Sequence, residues 1–323
     1  MSAMLLRGCR PGDILIREGR IAGMGADLAA PPGTVVEDAR GLLALPAFVE
    51  GHAHLDKTLW GMTWYVNEVG PRLIDRIENE RAQRGRLGLD PARQSARLAR
   101  EFLARGTTRI RTHVDIDTEI GLRHVEALLE LRDRLRGVQD IQVAGELGAY
   151  ALDLLIERTR ANGMAGQVTA SHAFCLGEVA RAPAVYEALA EAGIAIATTA
   201  PASRPVPAMR AARAAGVRIF TGNDGIRDTW TPYNTPDMLQ RAMIVGLKND
   251  LRRDDEIAMA FSMITDWAAE ACGFERCGLT PGERADLVLV EAQNVAEAVV
   301  SQPPRRLVIS HGRVVARDGV MTP

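Results

Sequence analysis

The chain has 323 residues, 47% of them hydrophobic and 25% charged, which suits a globular protein of one large or two ordinary domains with a sizeable core. A net charge of −2 excludes a basic footprint for nucleic acid, and no apolar run approaches the ~20 residues of a membrane span. The N-terminus carries no signal-peptide pattern, so a cytoplasmic protein is expected; Cys9, Cys175, Cys272 and Cys277 form no C-x-x-C and read as reduced thiols, Cys175 as a small buried residue.

Residues 5–36 read as short strands separated by glycine turns, among them Asp13-Ile14-Leu15-Ile16 and Arg20-Ile21-Ala22-Gly23-Met24. The C-terminus has the same character. Asp286-Leu287-Val288-Leu289-Val290 is a continuous apolar run, and His311-Gly312 between two β-branched runs marks a hairpin. The two ends are therefore expected to meet in one small β-sandwich, residues 1–41 with 282–323, around a middle domain of residues 42–281.

In that middle, apolar runs at 42–49, 108–114, 141–144, 168–170, 194–198 and 217–220 predict strands. Helical periodicity lies between them at 97–104, 122–135, 151–160, 182–192 and 208–215, with Gly106, Gly163, Gly193 and Gly216 placed as C-terminal caps. Residues 78–86 are charge-rich and read as a solvated helix or loop. Strand–helix alternation of this kind predicts an α/β fold with a parallel sheet or barrel, and a TIM-type (β/α) barrel gathers its chemistry at the C-terminal strand ends.

The first run ends in Glu50-Gly51-His52-Ala53-His54, and side chains two apart on a strand face the same way. Two imidazoles so placed suit one divalent metal, at about 2.0–2.1 Å each for zinc. Other strand ends carry His113 and Asp115, then His172, then Asp224. A lone histidine or aspartate is usually structural; their joint placement sets these apart. His52, His54 and Asp224 are the expected metal ligands, Asp224 also a proton acceptor, and His172 orients water or polarises substrate. Two histidines and an aspartate leave the choice among zinc, iron and manganese open. No G-x-G-x-x-G follows the first strand, which disfavours a dinucleotide-binding fold.

Four blocks resemble the amidohydrolase superfamily in its cytosine-deaminase-like branch: Pro46-Ala47-Phe48-Val49-Glu50-Gly51-His52-Ala53-His54-Leu55-Asp56-Lys57-Thr58, Arg111-Thr112-His113-Val114-Asp115, Val168-Thr169-Ala170-Ser171-His172-Ala173-Phe174 and Gly222-Asn223-Asp224-Gly225-Ile226-Arg227-Asp228-Thr229-Trp230. The resemblance implies a (β/α)8 barrel with one catalytic zinc or iron. It makes His52 and His54 first-strand ligands and Asp224 the last-strand ligand and base. It gives His172 the hydrolytic water or forming oxyanion, and Trp230 one face of a planar heterocycle. Lys57 and Arg227 become candidates for contact with an anionic substrate.

The family's central block, with a third metal-binding histidine and a proton-shuttling glutamate, has no counterpart. Ile141-Gln142-Val143-Ala144 runs straight into Gly145-Glu146-Leu147-Gly148-Ala149-Tyr150, and no histidine stands between His124 and His172. By the resemblance, roughly 60 residues are absent from an eight-stranded plan, and about six strands remain. Glu146 is the nearest carboxylate that could replace the glutamate, although an acidic residue in a first helical turn is commonly structural. The expected architecture is an incomplete barrel with a terminal β-sandwich. The expected activity is metal-dependent hydrolysis of a C–N bond in a small, cytosine-like heterocycle. The alternative is an impaired relative that binds or oligomerises, since an open barrel exposes strand edges; a homo-oligomer is expected.

Overall fold

Both apolar ends of the chain fold into sheets that share a core. The computed structural model describes residues 3–70, 72–116, 119–145, 152–178, 180–276 and 278–322. Among them the strands are, in chain order, β1 (Met4–Arg7), β2 (Asp13–Arg17), β3 (Arg20–Gly25), β4 (Val35–Asp38), β5 (Leu43–Pro46), β6 (Phe48–Ala53), β7 (Thr107–Val114), β8 (Asp140–Gly145), β9 (Thr169–Ser171), β10 (Ala195–Thr198), β11 (Ile219–Thr221), β12 (Leu287–Val290), β13 (Arg305–Ser310), β14 (Arg313–Arg317) and β15 (Val320–Met321). One sheet has the order β3-β2-β1-β4, and a second, antiparallel throughout, has the order β15-β14-β13-β12-β5. Leu6, Ile14 and Ile21 of the first sheet pack with Leu287, Leu307 and Ile309 of the second. The β13–β14 turn holds His311 at φ 51° and Gly312 at φ 73°, the two positive angles a tight hairpin requires.

The apolar run 42–49 is two strands, not one. Residues 43–46 form β5 in the terminal sheet, and the chain crosses at Ala47 into β6. Both strands are largely buried, so no alternation marks the break.

The remaining strands are parallel and lie in two groups of three, β6-β7-β8 and β11-β10-β9. A bridge between Ala53 and Asp224 joins β6 to the end of β11. The strand order is thus β8-β7-β6, then β11-β10-β9. Among the described residues no ladder joins β8 to β9, and no closed barrel forms. Nearer the strand starts, residues 263–264 pass between the two groups: Ile264 O accepts from Val49 N at 2.8 Å and Met263 O from Thr221 N at 3.2 Å. The short helix Asp266–Cys272 that follows packs against Val49, Ala195, Ala197 and Phe220. Its last carbonyl, Cys272 O, accepts from Arg111 Nη2 on β7 and Gln142 Nε2 on β8.

The helices at 91–104, 123–134, 152–161, 182–191 and 209–214 match the periodic segments. Asp90 caps the first, accepting from Ala92 N and Arg93 N ahead of a proline at the first helical position. Gly106, Gly163, Gly193 and Gly216 all take positive φ. Residues 78–86 lie in the helix Leu73–Arg86. Its Glu80 is buried, so this helix is not wholly solvated. No helix among the described residues is long and apolar enough to cross a membrane.

A buried ion cluster ties the terminal sheets to the parallel strands. Asp286 Oδ2 accepts from Arg109 Nη2 at 2.9 Å and Arg284 Nε at 2.8 Å, and its Oδ1 accepts from His311 N at 2.6 Å. Arg109 and Asp286 are both fully buried.

Candidate active site

The strand ends converge. β6 carries His52 within the strand and His54 just beyond it, β7 carries His113, and the turns after β9 and β11 carry His172 and Asp224. The Asp224 carboxylate lies 3.4 Å from His54 Nε2, 3.7 Å from His52 Nε2 and 3.8 Å from His172 Nε2. The His113 ring stacks on His52, centroids 3.9 Å apart, and the His172 ring stacks on Phe174 at 5.1 Å. His172, at φ 65°, and Asp224, at φ 63°, occupy left-handed backbone. Such conformations cost on the order of 1–3 kcal/mol outside glycine and persist where the surroundings fix them. His172 N donates to Ala197 O at 2.6 Å; Asp224 N donates to His52 O at 2.7 Å, and Asp224 O accepts from His54 N at 3.2 Å.

The donor set fits a divalent metal. One ligating atom each from His52, His172 and Asp224 lies within 4.8 Å of the others. Both ring nitrogens of His52 are buried without a hydrogen-bond partner, an arrangement that coordination of one nitrogen would relieve. Burial drives the His52 imidazole down to about 3 against the pull of Asp224, so the ring is neutral and able to ligate at pH 7. Burial opposes ionisation of Asp224, but the His54 hydrogen bond and the surrounding imidazoles prevail and hold it well below the usual carboxylate range. His172, expected to hold water or an oxyanion, thus lies where a ligand would. His54 meets the cluster through Asp224, and Thr199 Oγ1 lies 3.4 Å from His172 Nδ1.

Lys57 is buried, with Nζ 2.6 Å from Asp115 Oδ2, 3.6 Å from Glu80 Oε2 and 4.7 Å from the centre of the Trp230 ring. Burial disfavours its charge, but Glu80, Asp115 and Asp228 outweigh that and raise its pKa well above the ordinary value. Trp230 is half-buried; its backbone N–H donates to Asp228 Oδ1, and its indole N–H has no partner. Arg227 lies over Trp60 and Trp64, 5.4 and 5.2 Å from the ring centres, beside a cavity that Tyr65, Asn67 and Asp228 also line.

Cys175 is exposed, contrary to expectation: after His172 the chain makes one 3-10 turn, Phe174–Gly177, that turns Leu176 inward and Cys175 out. Glu146 lies outside the described residues. Sequence reasoning missed Glu50, Asn223, Asn234 and Arg241, which are joined beneath Asp224. Glu50 shares the strand face of His52 by alternation, a signal that was there to read. Burial pushes the Glu50 carboxyl up to about 7 despite hydrogen bonds from His52 N and Asn223.

Residues 88–316 match the model of an amidohydrolase family. N-isopropylammelide isopropyl amidohydrolase of Pseudomonas sp. (strain ADP) is 26% identical, with 90% of each chain covered. That alignment spans 366 positions, more than this chain contains, so it opens gaps here. The crystal structure of N-isopropylammelide isopropylaminohydrolase from Burkholderia multivorans ATCC 17616 is 45% identical over the full length of both chains, with a TM-score of 0.94. The structure of 5-methylcytosine deaminase from Klebsiella pneumoniae liganded with 5-fluorocytosine is 21% identical over 99% of this chain and 98% of that one, with a TM-score of 0.79, a likeness of fold. A histidine-rich cluster at parallel strand ends, a family match over most of the chain and a 45% identical relative of equal span lead to one conclusion: the chain belongs to the amidohydrolase family, hydrolases of non-peptide C–N bonds.

Proposed function

We propose that the chain is a metal-dependent amidohydrolase that releases an alkylamine from a small oxygenated triazine, with N-isopropylammelide as the reference substrate. One observation carries the reading: the cluster of His52, His172 and Asp224, with unpaired His52 nitrogens, in a chain 45% identical to an N-isopropylammelide hydrolase. A cytosine-like substrate has weaker support, because the cytosine-type relative shares the fold alone.

His52, His172 and Asp224 would hold the metal, zinc or iron, with His54 fixing the Asp224 carboxylate. When bound, the cation supplies Lewis-acid charge that makes water acidic enough to attack near neutral pH. Asp224 accepts the proton of the attacking water on a carboxylate oxygen and returns it to the leaving amine nitrogen. Trp230 offers a ring face for stacking on the heterocycle. Lys57, paired with Asp115 and Glu80, holds the Trp230 ring by its charge, and Arg227, over Trp60 and Trp64, is a further candidate for contact with substrate.

The test is release of isopropylamine from N-isopropylammelide by zinc- or iron-loaded protein, alongside ammonia release from cytosine. Isopropylamine release abolished in His52→Ala supports the reading; ammonia release from cytosine alone would replace the substrate. Among the described residues no strand pairs with the outer edges of β8 and β9, which favours one other reading, an impaired relative that assembles with copies of itself. A metal-loaded oligomer without turnover on either substrate would support that.

A further inference from the structure

Asp224 sits in left-handed backbone, so something must hold it there. The three-residue turn that presents it has its polar groups occupied. Asn223 N donates to Glu50 Oε1 at 3.0 Å, and Asn234 Nδ2 donates to both Asn223 O and Gly225 O at 2.9 Å. Behind these lies Arg241, from the helix Met238–Lys248. Its guanidinium donates to Asn223 Oδ1 through Nε and Nη2, at 3.1 and 2.9 Å, to Asn234 Oδ1 at 2.6 Å and to Thr199 O at 2.7 Å. Glu50, Asn223 and Arg241 are all buried.

We propose that Arg241 is a positioning residue for Asp224, acting through Asn223 and Asn234, with Glu50 holding the other end of Asn223. This rests on the active-site reading above. The network has one polarity. Arginine only donates, so Asn223 must turn its oxygen to Arg241, which leaves its Nδ2 to donate to Glu50 Oε2 at 2.7 Å. An amide so oriented cannot rotate without losing bonds at both ends. The backbone between Gly222 and Gly225 is thereby fixed from three sides, and the carboxylate is aimed at His52 and His172.

A buried polar network that only stabilises the fold would explain the same burial, so the experiment separates the two. In the double variant Glu50→Gln/Arg241→Met both charges go, and Asn223 can turn to satisfy Gln at 50; the fold is expected to survive with a melting temperature near that of the parent. Metal affinity is then the readout, measured with zinc alone, together with the visible spectrum of the cobalt(II)-loaded protein. Removing partners of a ligand typically weakens metal binding ~10–100-fold, and the double variant is expected in that range with an altered cobalt spectrum. Asn234→Ala, which removes no charge, is expected to weaken zinc in the same direction and carries the test if the double variant does not fold. Zinc affinity within twofold of the parent and an unchanged cobalt spectrum would overturn the proposal and leave the network a purely structural one. A parent protein that binds neither cation would instead refute the active-site reading, and this inference with it.

Discussion

Gly222 stands where the two groups of parallel strands meet, and an alanine there tests how tightly Asp224 is held to β6. A Cβ at 222 would lie 2.4 Å from Glu50 Oε1, 2.4 Å from His52 N and 2.6 Å from His52 O. Two of these atoms are backbone, and β6 cannot retreat because its far edge pairs with β7 through Val49–Arg109 and Glu50–Ile110. Overpacking of this sort costs about 1–3 kcal/mol, and here the strain falls on the turn that carries Asp224. Gly85, in the helix Leu73–Arg86, has nothing within 4 Å of an added Cβ, so Gly85→Ala should add about 0.5–1 kcal/mol. Urea unfolding of both variants reads the two signs from the midpoint at constant slope. Gly222→Ala should also bind zinc more weakly. A cost below about 0.5 kcal/mol with unchanged zinc binding would refute the close approach of β6 and the Asp224 turn.

Three further outcomes follow from other parts of the molecule. Asp286→Ala leaves the Arg109 guanidinium buried without its carboxylate and should cost about 3–5 kcal/mol in urea unfolding. Burial, helped by the Arg284 charge, lowers the His311 pKa, so the unfolded chain binds the proton more readily. Stability should therefore fall as pH drops through the ordinary histidine value of about 6.5, and His311→Asn, which tolerates the positive φ of this turn, should flatten that slope in pH-dependent melting. Among Cys9, Cys175 and Cys272, iodoacetamide at pH 8 should label Cys175 first, since burial pushes the other two thiols up to about 12; peptide mass mapping reads the order.

The parallel strands and their helices were legible because burial on both faces gives continuous apolar runs, closed by glycines at positive φ. The same burial hid the break at Ala47, where one run serves two sheets. The helix Asp266–Cys272 was illegible because it is short and alanine-rich, with only Asp266 and Glu270 to mark its exposed face. His52, His54, His172 and Asp224 were readable from their strand ends. Arg241 was not: on sequence it is one arginine in an apolar helix, and its role depends on partners about 190 and 20 residues away that only the folded chain brings together. The strand gap is in keeping with the missing central block: among the described residues there are six parallel strands and no ladder from β8 to β9.

Whether these strand ends hold a metal is read by elemental analysis of the purified protein. About one divalent ion per chain is expected, lost in His52→Ala. Added back at 100 times its dissociation constant, the ion should stabilise the parent by about 2.7 kcal/mol and leave the variant unmoved. A parent chain that stays free of metal after supplementation, with no gain in stability, would contradict the account.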